Sequence, residues 1–136
     1  MIKVIYGTKG MGKTKTLVDT ANSLIAKSSG DIVFIDDSSQ LMYDLKHEVR
    51  FINVAEFPVV GASGFLGFIC GIISENYDID SMLIDGVNYI VKENIASLSE
   101  FFSGLKQLAE KYDIDFYVSA NGDPENVPEF IKEFMA

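Results

Sequence analysis

Residues 2–25 begin with the apolar run Ile2-Lys3-Val4-Ile5-Tyr6 and pass into Gly7-Thr8-Lys9-Gly10-Met11-Gly12-Lys13-Thr14. They end on Leu17, Val18, Ala21, Leu24 and Ile25 at helical spacing. A β-rich run, a glycine-rich turn and an amphipathic helix in direct succession form one strand–loop–helix unit. The turn matches G-x-x-x-x-G-K-[ST], a phosphate-binding pattern. Gly7, Gly10 and Gly12 permit backbone angles that aim several N–H groups at one anion without a Cβ in the way. The helix that follows adds its positive N-terminal end. Lys13 supplies a mobile charge for terminal phosphates, and the Thr14 hydroxyl suits Mg²⁺. Thr8, Lys9, Met11 and Lys15 complete the segment expected to wrap the ligand.

Beyond this unit the apolar pattern keeps switching period. Runs at Ile32–Ile35, Phe51–Val54, Met82–Ile84 and Phe116–Val118 alternate with helical stripes. One stripe is Phe65, Phe68, Ile69, Ile72 and Ile73; another is Leu98, Phe101, Phe102, Leu105, Leu108 and Tyr112. Uninterrupted apolar strands between helices predict an α/β three-layer sandwich whose five-stranded parallel sheet is covered on both faces. Finer signals predict a helix end at Gly30, a short helix over 39–47, and a capping box of Ser97 with Glu100. Pro128 predicts the start of a short terminal helix carrying Phe130, Ile131 and Phe134. No repeat or linker interrupts residues 1–136, which read as a single nucleotide-binding domain.

Composition narrows the chemistry. Twenty acids against eleven bases give a net charge of −9, without the basic footprint that nucleic acid requires. Residues 78–136 hold twelve acids and four lysines, whereas residues 1–77 hold eight acids and seven bases, so the anion site belongs in the first half. One cysteine, Cys70, excludes an internal disulfide framework, and one histidine, His47, excludes multi-histidine metal sites. The short apolar run at the N-terminus does not make a signal peptide, and a cytoplasmic location is expected. Phe57–Ser74 is uncharged, but Pro58, four glycines and two serines interrupt it, and Glu56 and Glu75 flank it. No membrane insertion is expected.

A Mg²⁺ site needs a further carboxylate, commonly one that ends an apolar strand. Two strands end this way, one with Asp36 and Asp37 and one with Asp85. The order of elements over residues 1–121 resembles a minimal RecA-like core of the P-loop NTPases. The matching features are the loop at 7–14, the strand ending Phe34-Ile35-Asp36, the strand ending Leu83-Ile84-Asp85, and the strand ending Ser119-Ala120-Asn121. The resemblance implies strand order 3-2-4-5-1, with the 115–119 strand between those carrying the loop and Asp85. It also implies ATP with Mg²⁺ as the ligand, Thr14 and Asp85 on the metal, and Asn121 as a polar sensor near the terminal phosphate.

The chain departs from that family at the glutamate that positions the attacking water. Asp36, Asp37, Ser38 and Ser39 follow the second strand, and Gly86 follows Asp85, so Asp37 is the nearest substitute. Slow ATPase activity is therefore expected, with a nucleotide-responsive adaptor that does not turn over as the alternative. A small pilus- or secretion-type motor is a third reading without a motif of its own. Arg50, the sole arginine, cannot build the multi-arginine clamp of a small-molecule kinase, and no guanine-reading Asn-Lys-x-Asp is present. Arg50 and His47 read as surface groups. Helix 62–76 carries Ser63, Gly67, Cys70, Gly71 and Ser74 on the face opposite its aromatic stripe. Interior helix glycines cost about 1 kcal/mol each against alanine. Close packing on the sheet, a cover by the terminal helix, or a homodimer contact would each account for that face. The sequence names no protein partner.

Overall fold

The computed structural model describes residues 1–135. The strands are β1 (Ile2–Gly7), β2 (Asp31–Asp36), β3 (Arg50–Asn53), β4 (Ile79–Ile84) and β5 (Asp115–Asn121). Between and after them run α1 (Lys13–Lys27), α2 (Gly61–Glu75), α3 (Val87–Val91), α4 (Ser99–Tyr112) and α5 (Glu129–Lys132). Every strand pair is parallel, and the order is β1-β5-β4-β2-β3, which read from the other edge is 3-2-4-5-1. The fold is the RecA-like three-layer sandwich expected from the order of elements.

The continuous apolar strands serve two cores at once. Ile32, Phe34 and Leu83 face Leu17, Val18 and Ala21 of α1. Val33, Ile35, Met82, Ile84, Phe116 and Val118 face Phe65, Ile69 and Ile73 of α2 and Phe101, Phe102 and Leu105 of α4. Successive strand residues point to opposite faces, so a run that is apolar at every position is buried on both. The edge strand β1 is not left open, because the Val4 N–H donates to the Phe134 carbonyl at 3.0 Å.

Several local expectations are corrected. Residues 39–47 form turns, not a helix, with the Met42 N–H donating to Ser39 and the Asp44 N–H to Leu41. The Asn22 side chain of α1 holds this segment by donating to the Asp44 carbonyl and accepting from the Lys46 N–H. Buried Leu45 and Val49 anchor it over the first core. Helix α1 ends at Lys27 with an extended Ser28, so Gly30 is not its terminating residue. A Cβ at Gly30 would lie 2.3 Å from the Asp78 carbonyl oxygen, which is why glycine stands there. Ser97 does not cap α4; it ends a 3-10 turn over Ile95–Ser97, and its hydroxyl donates to the Asn94 carbonyl at 2.7 Å.

The small-residue face of α2 is exposed, and α5 does not cover it: Phe130 and Phe134 pack on Phe102 instead. Close packing on the sheet does not explain Gly67 and Gly71 either, because a Cβ at either meets nothing within 4 Å. The close approach between α2 and α4 is made by Gly104, where a Cβ would lie 2.6 Å from Leu66. Arg50 pairs with Asp31 at 3.3 Å, at the end of the sheet opposite the glycine-rich loop. His47 is exposed beside Glu48. Among the described residues no helix is long and apolar enough to cross a membrane.

Candidate functional site

In a parallel sheet the loops that can converge on a ligand leave the C-terminal strand ends. Here β1, β2, β4 and β5 end around a cleft of about 450 Å³. Its lining includes Lys9, Gly10, Gly12, Lys13 and Thr14 from the loop and α1, Asp36 and Asp37 after β2, Asp85 after β4, and Asn121 ending β5.

The loop has the backbone geometry its glycines allow. Gly10 and Gly12 have φ of +89° and +81°, the left-handed region that L side chains rarely adopt. Gly12 is the residue from which α1 departs. First-turn N–H groups of a helix have no intrahelical acceptor, so they remain available to an anion. Met11 lies outside the cleft lining and folds over the start of the loop, its sulfur accepting from the Thr8 N–H at 3.2 Å. A Cβ at Gly7 would lie 2.8 Å from that sulfur. Lys15 also stands apart: its ammonium pairs with Asp19 at 2.9 Å, out in solvent.

Lys13 is buried and donates to the Thr8 carbonyl at 2.5 Å. Burial pulls its ammonium below the usual lysine range, and the Asp85 charge opposes that shift. The Thr14 hydroxyl donates to the Asp85 carboxylate, with contacts of 3.2 and 3.1 Å to its two oxygens. Asp85 is fixed from other sides as well. Its N–H donates to the Ile35 carbonyl at 2.9 Å, and its Oδ1 accepts from the buried Ser119 hydroxyl at 2.8 Å.

Asp36 is the buried carboxylate of the site, 6% exposed, with Oδ1 accepting the Asp37 N–H at 2.8 Å. Burial pushes it up to about 7 against that hydrogen bond, and the charges of Asp85 and Asp37 add to the rise. The sequence points to Asp37 as the substitute for the glutamate; the structure places both acids at the cleft and buries Asp36. Asn121 lines the cleft with its backbone clamped by the Asn88 amide, which accepts its N–H at 2.8 Å and donates to its carbonyl at 3.0 Å. Tyr89 and Gly86 complete the wall. Ser119, Asn88, Tyr89 and Gly86 were not anticipated as site residues. The signal for Ser119 was a polar residue within an otherwise apolar buried strand.

Thr14 and Asp85 offer hard oxygen donors suited to Mg²⁺. Among the described residues no group of three or more His, Cys, Asp or Glu side chains could hold a metal by itself.

No family model matches the chain, and no curated protein matches it in sequence. In three dimensions it is similar to the flagellar accessory protein FlaH of Methanocaldococcus jannaschii, with a TM-score of 0.60 and 14% identity. The likeness covers 97% of this chain but 65% of that one, so the chain spans less than two thirds of its structural relative. At this identity the similarity establishes the RecA-like fold.

Proposed function

We propose that the cleft binds ATP with Mg²⁺, and that the protein is a slow ATPase or uses the bound nucleotide as a switch. The observation that carries this reading is the meeting of Lys13, Thr14 and Asp85 in one cleft beside the left-handed Gly10 and Gly12. In this reading the loop N–H groups and the first turn of α1 hold the phosphates. Lys13 leaves the Thr8 carbonyl to meet the terminal phosphates, and Thr14 and Asp85 hold the cation. The metal draws charge from the transferring phosphate when bound. Asp37 or Asn121 orients the attacking water.

The adaptor reading is favoured by the lack of a glutamate after β2 or after Asp85, where Asp36, the acid that ends β2, is buried and engaged by the Asp37 N–H. A ligand that binds only the folded protein raises its melting temperature by mass action. ATP with Mg²⁺ at millimolar concentration should therefore raise the melting temperature of the parent and leave Lys13→Ala nearly unshifted. Equal shifts for both proteins would count against the cleft as the binding site.

A further inference from the structure

Ser119 occupies a position that the two-core packing of the sheet would fill with an apolar residue. Its neighbours Val118 and Ala120 face the α2–α4 side, and Tyr117 packs on the α1 side. By the alternation of a strand, Ser119 points toward the layer where α1 begins. It is 2% exposed, so its hydroxyl must be satisfied from within the protein.

Both halves of its hydrogen-bonding capacity are used on the Asp85–Gly86 turn. The hydroxyl donates to Asp85 Oδ1 at 2.8 Å and accepts from the Gly86 N–H at 2.7 Å. Gly86 has a φ of +67°, so the chain turns sharply after Asp85, and Ser119 bridges the carboxylate and the backbone across that turn. Oδ1 thus has a buried donor from β5 in addition to the Thr14 hydroxyl. Oδ2 has Thr14 alone among the described residues. A carboxylate free to rotate about its Cβ–Cγ bond would present either oxygen to a cation. This one is tied at Oδ1.

We propose that Ser119 is a positioning residue for the cation site: it fixes the Asp85 carboxylate so that one oxygen stays committed to the protein and the other serves the metal's shell. The assignment rests on the Mg²⁺–ATP reading of the cleft. Outer-shell partners of this kind change metal affinity by about 10–100-fold when removed.

The test is calorimetric ATP binding, measured with Mg²⁺ and again in EDTA, for the parent, Ser119→Ala and Ser119→Thr. The ratio of the two dissociation constants isolates the contribution of the metal. Ser119→Ala should reduce that ratio about tenfold while its EDTA constant stays within twofold of the parent. Ser119→Thr keeps the hydroxyl and should keep the parent ratio. A parent ratio carried unchanged into Ser119→Ala would overturn the assignment, and so would equal losses with and without Mg²⁺, which mark a structural role. A parent that binds no nucleotide under either condition would remove the Mg²⁺–ATP reading itself, and the assignment with it. Should Ser119→Ala fail to fold, Ser119→Cys keeps the volume with a poorer donor. It should lower the ratio, and retention of the parent ratio would overturn the proposal.

Discussion

The Thr14 hydroxyl reaches both carboxylate oxygens of Asp85, at 3.2 and 3.1 Å, although 71 residues separate them in sequence. The contact joins the start of α1 to the end of β4 across β5, which lies between β4 and β1 in the sheet. A hydroxyl and a carboxylate brought together at the foot of the glycine-rich loop are suited to a hard divalent cation, as the proposed function requires.

Asp85→Asn should therefore change ATP affinity in opposite directions under two conditions. In EDTA the variant should bind ATP at least as tightly as the parent, because a negative charge near the phosphates is gone. With Mg²⁺ it should bind about tenfold more weakly or worse, because the cation loses a charged partner. Calorimetry in the two buffers measures both. A change of the same sign in each would show that Asp85 acts on folding or on the loop rather than on the metal.

Asp36 predicts a pH dependence. Its carboxyl, raised by burial to about 7 from an ordinary 3.8, holds a proton in the folded protein that the unfolded chain has already released. The folded state binds more protons between these values, so this group's contribution to stability falls as pH rises from about 4 to about 7. Asp36→Asn removes that cost. Relative to the parent, it should gain stability from pH 5 to pH 8, by at most about 3 kcal/mol. Urea denaturation at the two pH values is the measurement. A difference between parent and variant that is the same at both would contradict the placement of a buried acid here.

Gly122 sits against the ring of Tyr6, where a Cβ would lie 2.0 Å from the hydroxyl oxygen and 2.4 Å from Cζ. The ring is in β1, and its hydroxyl donates to the Asp123 carbonyl at 3.1 Å, so it is held at both ends. Gly122→Ala should destabilise the protein by about 1–3 kcal/mol through overpacking. Adding Tyr6→Val should recover part of the loss. A double-mutant cycle with additive effects would rule out the clash.

The strand order, the two-sided burial of the sheet and the gathering of Lys13, Thr14, Asp36, Asp37, Asp85 and Asn121 at one edge were all legible in the sequence. The two-sided burial and the acids follow from strand-scale apolar runs and strand-end positions, signals that local sequence carries, whereas the strand order and the place of Asn121 follow from the resemblance to the RecA-like order of elements. What was not legible depends on partners distant in sequence. Residues 39–47 carry apolar residues at helix-like spacing, yet the Asn22 amide from α1 fixes them as turns. Ser97 and Glu100 have the spacing of a cap, but the Ser97 hydroxyl is used by the turn before it. Ser119 and Asn88 acquire roles only because β5 and α3 meet at Asp85 and Asn121. Nothing in a single segment announces that.

The exposed small-residue face of α2 bears on self-association. A side chain at Gly67 meets open space within one chain, so Gly67→Glu should fold with stability changed by about 1 kcal/mol or less. If a second copy covers this face, light scattering should show a dimer for the parent and a monomer for the variant. A monomeric parent at high micromolar concentration, with and without ATP, rejects the homodimer.

Turnover by the isolated protein should be slow, on the order of 10⁻² per second or less, as in phosphate-binding-loop proteins lacking part of their transition-state apparatus. Phosphate release from purified protein checks this. Rapid release abolished by Lys13→Ala would show that Asp37, Asn121 or another cleft residue positions water as well as a glutamate does.

The most direct test of the account is a calorimetric titration of ATP with Mg²⁺ into the parent protein and into Lys13→Ala, on samples freed of co-purified nucleotide. The parent should show one saturable site per chain with a dissociation constant below millimolar, weakened about tenfold or more by the substitution. Absence of any binding heat with ATP or GTP at millimolar concentration, in a protein shown to be folded, would contradict it.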